Sequence, residues 1–185
     1  MKIQQPLKYL IQVLNRLASS EHYLFLLSDL RALLPQHSNG AFKTLLSRAN
    51  KSGLLMRVCR GVYLYPAVAY PKRVLLYHVA ALLRAGDLNY ISLETALSNA
   101  GIISQIPINW ITVMTSGRSN KVSCGSFGTI EFIHTDKSIE KLVDQLVYDD
   151  HCHMWLACVP LALQDMKMTR RNMDLIDWTV VDESF

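Results

Sequence analysis

Acidic residues are scarce at the start of the chain. Residues 1–85 hold two, Glu21 and Asp29, against twelve Lys and Arg, a balance of +10. Residues 86–185 hold thirteen acids against seven bases, a balance of −6, so the whole chain nets only +4. Long apolar runs are missing as well. The longest, residues 74–83 and 154–163, fall well short of the roughly 20 residues that cross a bilayer. Four cysteines, at positions 59, 124, 152 and 158, are too scattered for a secreted disulfide framework. The first residues carry Lys2, Gln4, Gln5, Pro6 and Lys8 and lack the apolar core of a secretory leader. A cytoplasmic protein without a membrane partner is the expectation. No repeat, Gly/Ser linker or low-complexity tract interrupts the chain. Half of its 185 residues are hydrophobic, enough to bury roughly two-thirds of the unfolded surface without a disulfide or metal.

What is present is patterned. Leu7, Leu10, Ile11, Leu14 and Leu17 recur at helical spacing and predict an amphipathic first helix. Residues 23–27 form a short β-prone run. Ser28 then caps a short helix that reaches Leu34 and stops at Pro35. Ser38 is the N-cap of a third helix over 39–52, with Gly53 as its left-handed terminator. At 100° per residue, Ala41, Phe42, Leu45, Leu46 and Ala49 share one arc of about 140°. The opposite arc holds Asn39, Gly40, Lys43, Thr44, Ser47, Arg48, Asn50 and Lys51, and not one acid. Solvated helix faces mix signs, commonly with Glu four residues before Lys. A purely cationic face with small hydrogen-bonding side chains suits a helix in a DNA major groove. Residues 54–58 and 62–66 flank Cys59, Arg60 and Gly61 and predict a basic hairpin.

Three helices followed by a basic hairpin is the order of a winged helix-turn-helix, expected over 1–66. Asn39, Lys43, Thr44 and Ser47 are assigned to base edges. Arg48, Lys51, Arg57 and Arg60 are assigned mainly to phosphates of double-stranded operator DNA. A connecting segment over 67–86 follows, its helix spanning 74–84 and expected to pack on both domains. Residues 87–185 then predict a small mixed α+β domain. It has a strand at Tyr90 and Ile91, a helix capped by Ser92 and closed by Gly101, strands over 110–114, 122–124 and 128–134, a helix over 138–148, a strand over 154–159, a helix opened by Pro160, and a weakly alternating tail over 175–181.

Several short stretches carry a resemblance. They are Ser28, Asp29 and Leu30; Arg60, Gly61, Val62 and Tyr63; the run from Tyr90 through Ser98; the run from Ile111 through Thr115; and Ala162, Leu163, Gln164 and Asp165. In this order and spacing the chain resembles the AbiEi antitoxins of bacterial type IV toxin–antitoxin systems. The resemblance implies an N-terminal winged helix that represses its own promoter through inverted repeats. It also implies a C-terminal domain that supports antitoxicity and cooperative DNA binding, as a dimer or side by side on DNA. The functional partner would be a nucleotidyltransferase-like toxin, countered without a stable complex. It supplies no catalytic residues.

Other chemistries have thinner support. His151, Cys152, His153 and Cys158 invite a zinc reading, but the cluster lacks two separated ligand pairs. A metal-dependent nuclease could use Glu131 with Asp136 and Lys137, yet no Asp on a neighbouring strand accompanies them. Asp149 and Asp150 read as solvated. Cys59, with basic neighbours, could be a redox-sensitive thiol. Neither glycine turn, at 117–119 or 125–128, has phosphate-loop spacing. No cofactor or metal is expected. The alternatives to a repressor are that nuclease, or a winged-helix adapter that binds a toxin directly.

Overall fold

The computed structural model describes residues 6–104 and 109–183, so Lys2, Gln4 and Gln5 lie outside the described residues. The chain divides into two compact units, Met1–Leu75 and Leu76–Phe185. The division falls in the first turn of the helix that follows Arg73.

The first unit runs α1 (Pro6–Leu17), β1 (Leu24–Leu26), α2 (Leu27–Ala32), α3 (Asn39–Lys51), β2 (Met56–Cys59) and β3 (Val62–Leu64). Its three strands form one antiparallel sheet in the order β1-β3-β2. Leu10 and Leu14 of α1, Leu30 and Leu34, and the α3 stripe Phe42, Leu45, Leu46 and Ala49 share one core with Phe25, Leu55 and Tyr65. The periodicity of α1 and α3 gives their buried faces, except that Leu17 and Ala41 are exposed. One boundary differs. Helix α2 begins two residues earlier than a Ser28 cap would place it, at Leu27 with Leu26 as N-cap, where the Asp29 carboxylate accepts the Leu26 N–H at 2.8 Å. A carboxylate in the first turn satisfies the N-cap N–H and complements the positive helix start. The Ser28 hydroxyl donates to the same carboxylate at 3.3 Å.

The second unit contains most of α4 (Leu75–Leu83), preceded by a 3-10 turn over Lys72–Val74, then β4 (Asn89–Ile91), α5 (Leu93–Asn99), β5 (Trp110–Thr115), β6 (Asn120–Ser123) and β7 (Thr129–His134). It ends with β8 (Leu146–Asp149), β9 (Met154–Ala157), α6 (Val159–Met168) and α7 (Trp178–Glu183). The six strands form a mixed sheet, β6-β7-β5-β4-β9-β8. Pairs β4–β9 and β5–β7 are parallel; the others are antiparallel. The described residues are thus mixed helix and sheet in both units.

The helix expected over 138–148 does not form. Residues Ile139–Lys141 and Val143–Gln145 are 3-10 turns, and Leu146–Asp149 is β8. Ile139, Val143 and Val147, which would share one face of such a helix, point outward, with Ile139 57% and Val143 61% exposed. The fold buries Leu142 and Leu146 instead, and pairs 146–149 with β9. Strand pairing satisfies the backbone and buries Leu146 at once, which overrides a modest helix propensity. The tail differs from its weak alternation too, forming a 3-10 turn (Met173–Leu175) and then α7.

A buried polar web ties the second unit together. Asp165 of α6 is 0% exposed; it accepts from Ser92 Oγ at 2.7 Å and from Lys137 Nζ at 2.6 Å. Beneath it, the Thr112 N–H donates to Thr95 Oγ1 at 2.8 Å, and the Thr112 hydroxyl donates to the Ser92 carbonyl at 2.8 Å. Ser92 precedes α5 as predicted, but its hydroxyl serves Asp165 rather than the helix N-terminus. Gly128 (φ 128°) permits a close approach. A Cβ there would lie 2.0 Å from the Asn109 carbonyl oxygen, which accepts the Thr129 N–H at 2.8 Å. The Lys137→Met variant leaves the buried Asp165 carboxyl without its cation. It should lose about 3–5 kcal/mol in denaturant unfolding, and a loss under about 1 kcal/mol would show that the pair contributes little.

Candidate nucleic-acid interface

Helix α3 owes its position to both ends and to its apolar stripe. The Ser38 side chain accepts the Ala41 N–H at 3.3 Å. At the far end Gly53 takes a positive φ of 74°, which only glycine adopts cheaply, and the chain turns back so that the Leu55 N–H reaches the Ala49 carbonyl at 3.1 Å. With Phe42, Leu45, Leu46 and Ala49 buried, the opposite face must point outward. The hairpin is then fastened to that helix. Asn50 Oδ1 accepts the Arg57 N–H at 2.8 Å, and the Leu27 N–H donates to the Gly61 carbonyl at 2.8 Å. A bulge between Arg57 and Cys59 shifts the register of β2, and the Arg57 guanidinium Nε donates to the Cys59 carbonyl at 3.3 Å.

All eight side chains singled out in the sequence, Asn39, Lys43, Thr44, Ser47, Arg48, Lys51, Arg57 and Arg60, are exposed. The six ion pairs found among the described residues all lie between residues 84 and 171. None of these eight therefore has a carboxylate partner among the described residues. Asp29, the acid of α2, already accepts from Leu26 and Ser28. Another base of this unit, Arg31, is engaged: it lies 5.3 Å from the Phe42 ring centre and donates to the Leu34 carbonyl at 3.0 Å.

The eight do not form one cluster. Lys43 and Ser47 of α3 meet Arg57 and Arg60 of the hairpin around a concavity of about 650 Å³. Asn50 and Tyr63 line it too. Thr44 and Arg48 lie on the other flank of α3, toward α1. Asn39 and Lys51 stand at opposite ends of the helix, about 18 Å apart at 1.5 Å per residue. The Thr44 hydroxyl donates to the Gly40 carbonyl at 3.0 Å, which leaves it an acceptor only. The sequence reading passed over Asn50 as a contributor and missed Tyr63. The signal for Tyr63 was present: β3 alternates, so Tyr63 faces the opposite way from the buried Val62 and Leu64, half-buried against the helical core at the edge of the concavity. Cys59, by contrast, is buried in β2 and does not present a thiol at the surface.

In the second unit the candidate catalytic groups are otherwise engaged. Glu131 is held by Arg171 Nη2 at 3.0 Å, Trp110 Nε1 at 3.3 Å and Lys121 Nζ at 3.4 Å. Lys137 goes to Asp165, and Asp136 to His134 at 2.7 Å. The carboxylate–lysine set of a nuclease is thus dispersed. His151, Cys152 and His153 occupy the β8–β9 turn. The His151 and Cys152 N–H groups donate to Asp149 Oδ1, at 2.8 and 3.1 Å. Burial, and next the Asp149 carboxylate, push the pKa of the Cys152 thiol up to about 12. Among the described residues no three His, Cys, Asp or Glu are placed to hold a metal ion. No helix among them is long and apolar enough to cross a membrane.

Fold and surface together define a two-unit, mixed helix-and-sheet protein whose first unit presents an unneutralised cationic helix–hairpin cleft. Residues 12–66, which contain that cleft, match the family described as "Transcriptional regulator, AbiEi antitoxin". The resemblance to AbiEi antitoxins is thereby shown over this segment, and the family is one of transcriptional regulators. A search of curated proteins gives no match to the chain.

The imidazole of His78 carries a pH consequence. Burial, with the stacked His153 ring 4.3 Å away, holds its pKa below 6.5 although Nε2 contacts the His151 carbonyl. A His with a depressed folded pKa favours the neutral form, so the unfolded chain takes up the proton first as pH falls. Its contribution is intact above about pH 6.5 and declines below. In denaturant titrations the wild type should lose more stability than a His78→Gln variant as pH falls below about 6.5; parallel losses would remove His78 from the account.

Proposed function

We propose that the chain is a sequence-specific repressor: its residues 1–66 act as a winged helix-turn-helix, with α3 as the recognition helix in the major groove and the β2–β3 hairpin as the wing on the backbone. The observation that carries this reading is the acid-free surface of α3 and the hairpin, where eight polar or basic side chains are exposed and lack carboxylate partners among the described residues. A surface of that kind is attracted to a polyanion by release of condensed counterions.

Within that reading Lys43 and Ser47 read base edges, together with Asn39 and Thr44. Arg48, Lys51, Arg57 and Arg60 hold phosphates. The target is double-stranded operator DNA with inverted repeats upstream of the chain's own operon, and the protein acts in the cytoplasm as a regulator rather than a catalyst. In keeping with the AbiEi likeness, it is the antitoxin of a type IV system, opposite a nucleotidyltransferase-like toxin. Residues 67–86 link the DNA-reading part to an antitoxin domain over 87–185.

A gel shift on the chain's own upstream DNA tests this directly. Lys43→Ala should cost about 1–3 kcal/mol on the operator and little on random DNA, whereas equal losses on both would make Lys43 a phosphate contact. Arg60→Ala should weaken all sequences alike and flatten the salt dependence by about one unit. An unchanged slope would take the hairpin out of the interface, and the absence of any retarded band would overturn the repressor reading.

A further inference from the structure

The flank of α3 turned away from the hairpin forms a second groove with α1, of about 600 Å³. Leu7 and Ile11 from α1 and Ala41 and Leu45 from α3 give it apolar walls. Lys8 and Arg48, both exposed, also line it, and its lining holds no acid. Neither cation has an ion-pair partner among the described residues. His37 completes the lining, and its Nδ1 is sealed from solvent without a hydrogen-bond partner.

The volume falls within the range of small-molecule sites, roughly 300–1000 Å³. The lining then selects the chemistry. A neutral hydrocarbon would cover the walls and leave two cations unanswered. A small polar anion would answer the cations and leave the walls wet. We propose that this groove binds a small amphipathic organic anion, an aromatic carboxylate being the best match. Its ring lies against Ile11, Ala41 and Leu45, and its carboxylate is drawn to Lys8 and Arg48. Thr44 and Arg48 line the groove and also belong to the surface assigned to DNA, so an occupied groove competes with operator binding and relieves repression. This last consequence rests on the repressor reading; the binding itself does not.

The test uses the full chain, with naphthalene-2-carboxylate as probe and the isosteric naphthalene-2-carboxamide as its uncharged control, titrated by calorimetry. Saturable one-site binding of the carboxylate is expected, at least about tenfold tighter than the amide. Ala41→Phe, which fills the groove, and Arg48→Ala, which removes a cation, should each weaken the carboxylate by at least about tenfold with an unchanged melting temperature. Either variant suffices if the other fails to fold. No saturable binding, equal affinity for the two probes, or undiminished binding by the folded variants would overturn the proposal. In a parallel gel shift the carboxylate should release operator DNA from the wild type but not from Ala41→Phe. A chain that binds the carboxylate and retards no DNA fails as a repressor and keeps its groove. One that retards DNA and ignores the carboxylate does the reverse.

Discussion

The burial of Phe42, Leu45, Leu46 and Ala49 against Leu10, Leu14, Leu30 and Leu34 is the constraint on which the first unit turns. A helix can hide one stripe, and hiding this one leaves Lys43, Ser47, Arg48 and Lys51 no direction except outward. The Asn50–Arg57 hydrogen bond and the Leu27–Gly61 bond then fix the hairpin beside the same helix. Hydrophobic packing aims the cations, and backbone hydrogen bonds bring two more, Arg57 and Arg60, alongside them. Nothing in the cationic side chains themselves is needed to build the surface that they form.

The two units handle charge in opposite ways. In the second, cations are spent internally: Lys137 on Asp165, Arg171 between Glu94 and Glu131, Lys121 on Glu131 and across the Trp110 ring. These pairs fasten strands and helices to one another, and the buried Asp165 joins the start of α5 to α6. In the first unit the exposed Asp29 carboxylate is engaged by the local donors Leu26 N–H and Ser28 Oγ, and the bases of α3 and the hairpin have no ion-pair partner among the described residues. A cation held within its own fold serves stability, whereas an exposed and unpaired one is available to a partner.

The sequence made some of this legible and not the rest, for reasons of distance along the chain. Helix α3, its Ser38 cap and its Gly53 stop follow from periodicity and local chemistry, which act within a few residues. The same holds for the hairpin around Gly61 and the helix after Pro160. Pairings such as Lys137 with Asp165 or Glu131 with Arg171 join elements far apart in sequence, and no local pattern announces them. The 138–148 segment failed for a related reason. Its apolar spacing fits a helix, and only the presence of β9 as a neighbour makes a strand the better use of Leu146. At the candidate site, exposure of the six residues on α3 was legible from the helix wheel, and that of Arg57 and Arg60 from the hairpin around Gly61. Their division between two flanks of α3 was not, because it depends on where α1 and the hairpin come to lie.

An acid-poor reading surface has a consequence for crowding between copies. Two such first units approaching face to face in water repel each other, with nothing on either surface to neutralise the other. On the proposed function, a shared strand of phosphates would supply the common counter-charge that lets them sit as neighbours, and the nucleic acid would be glue as well as target.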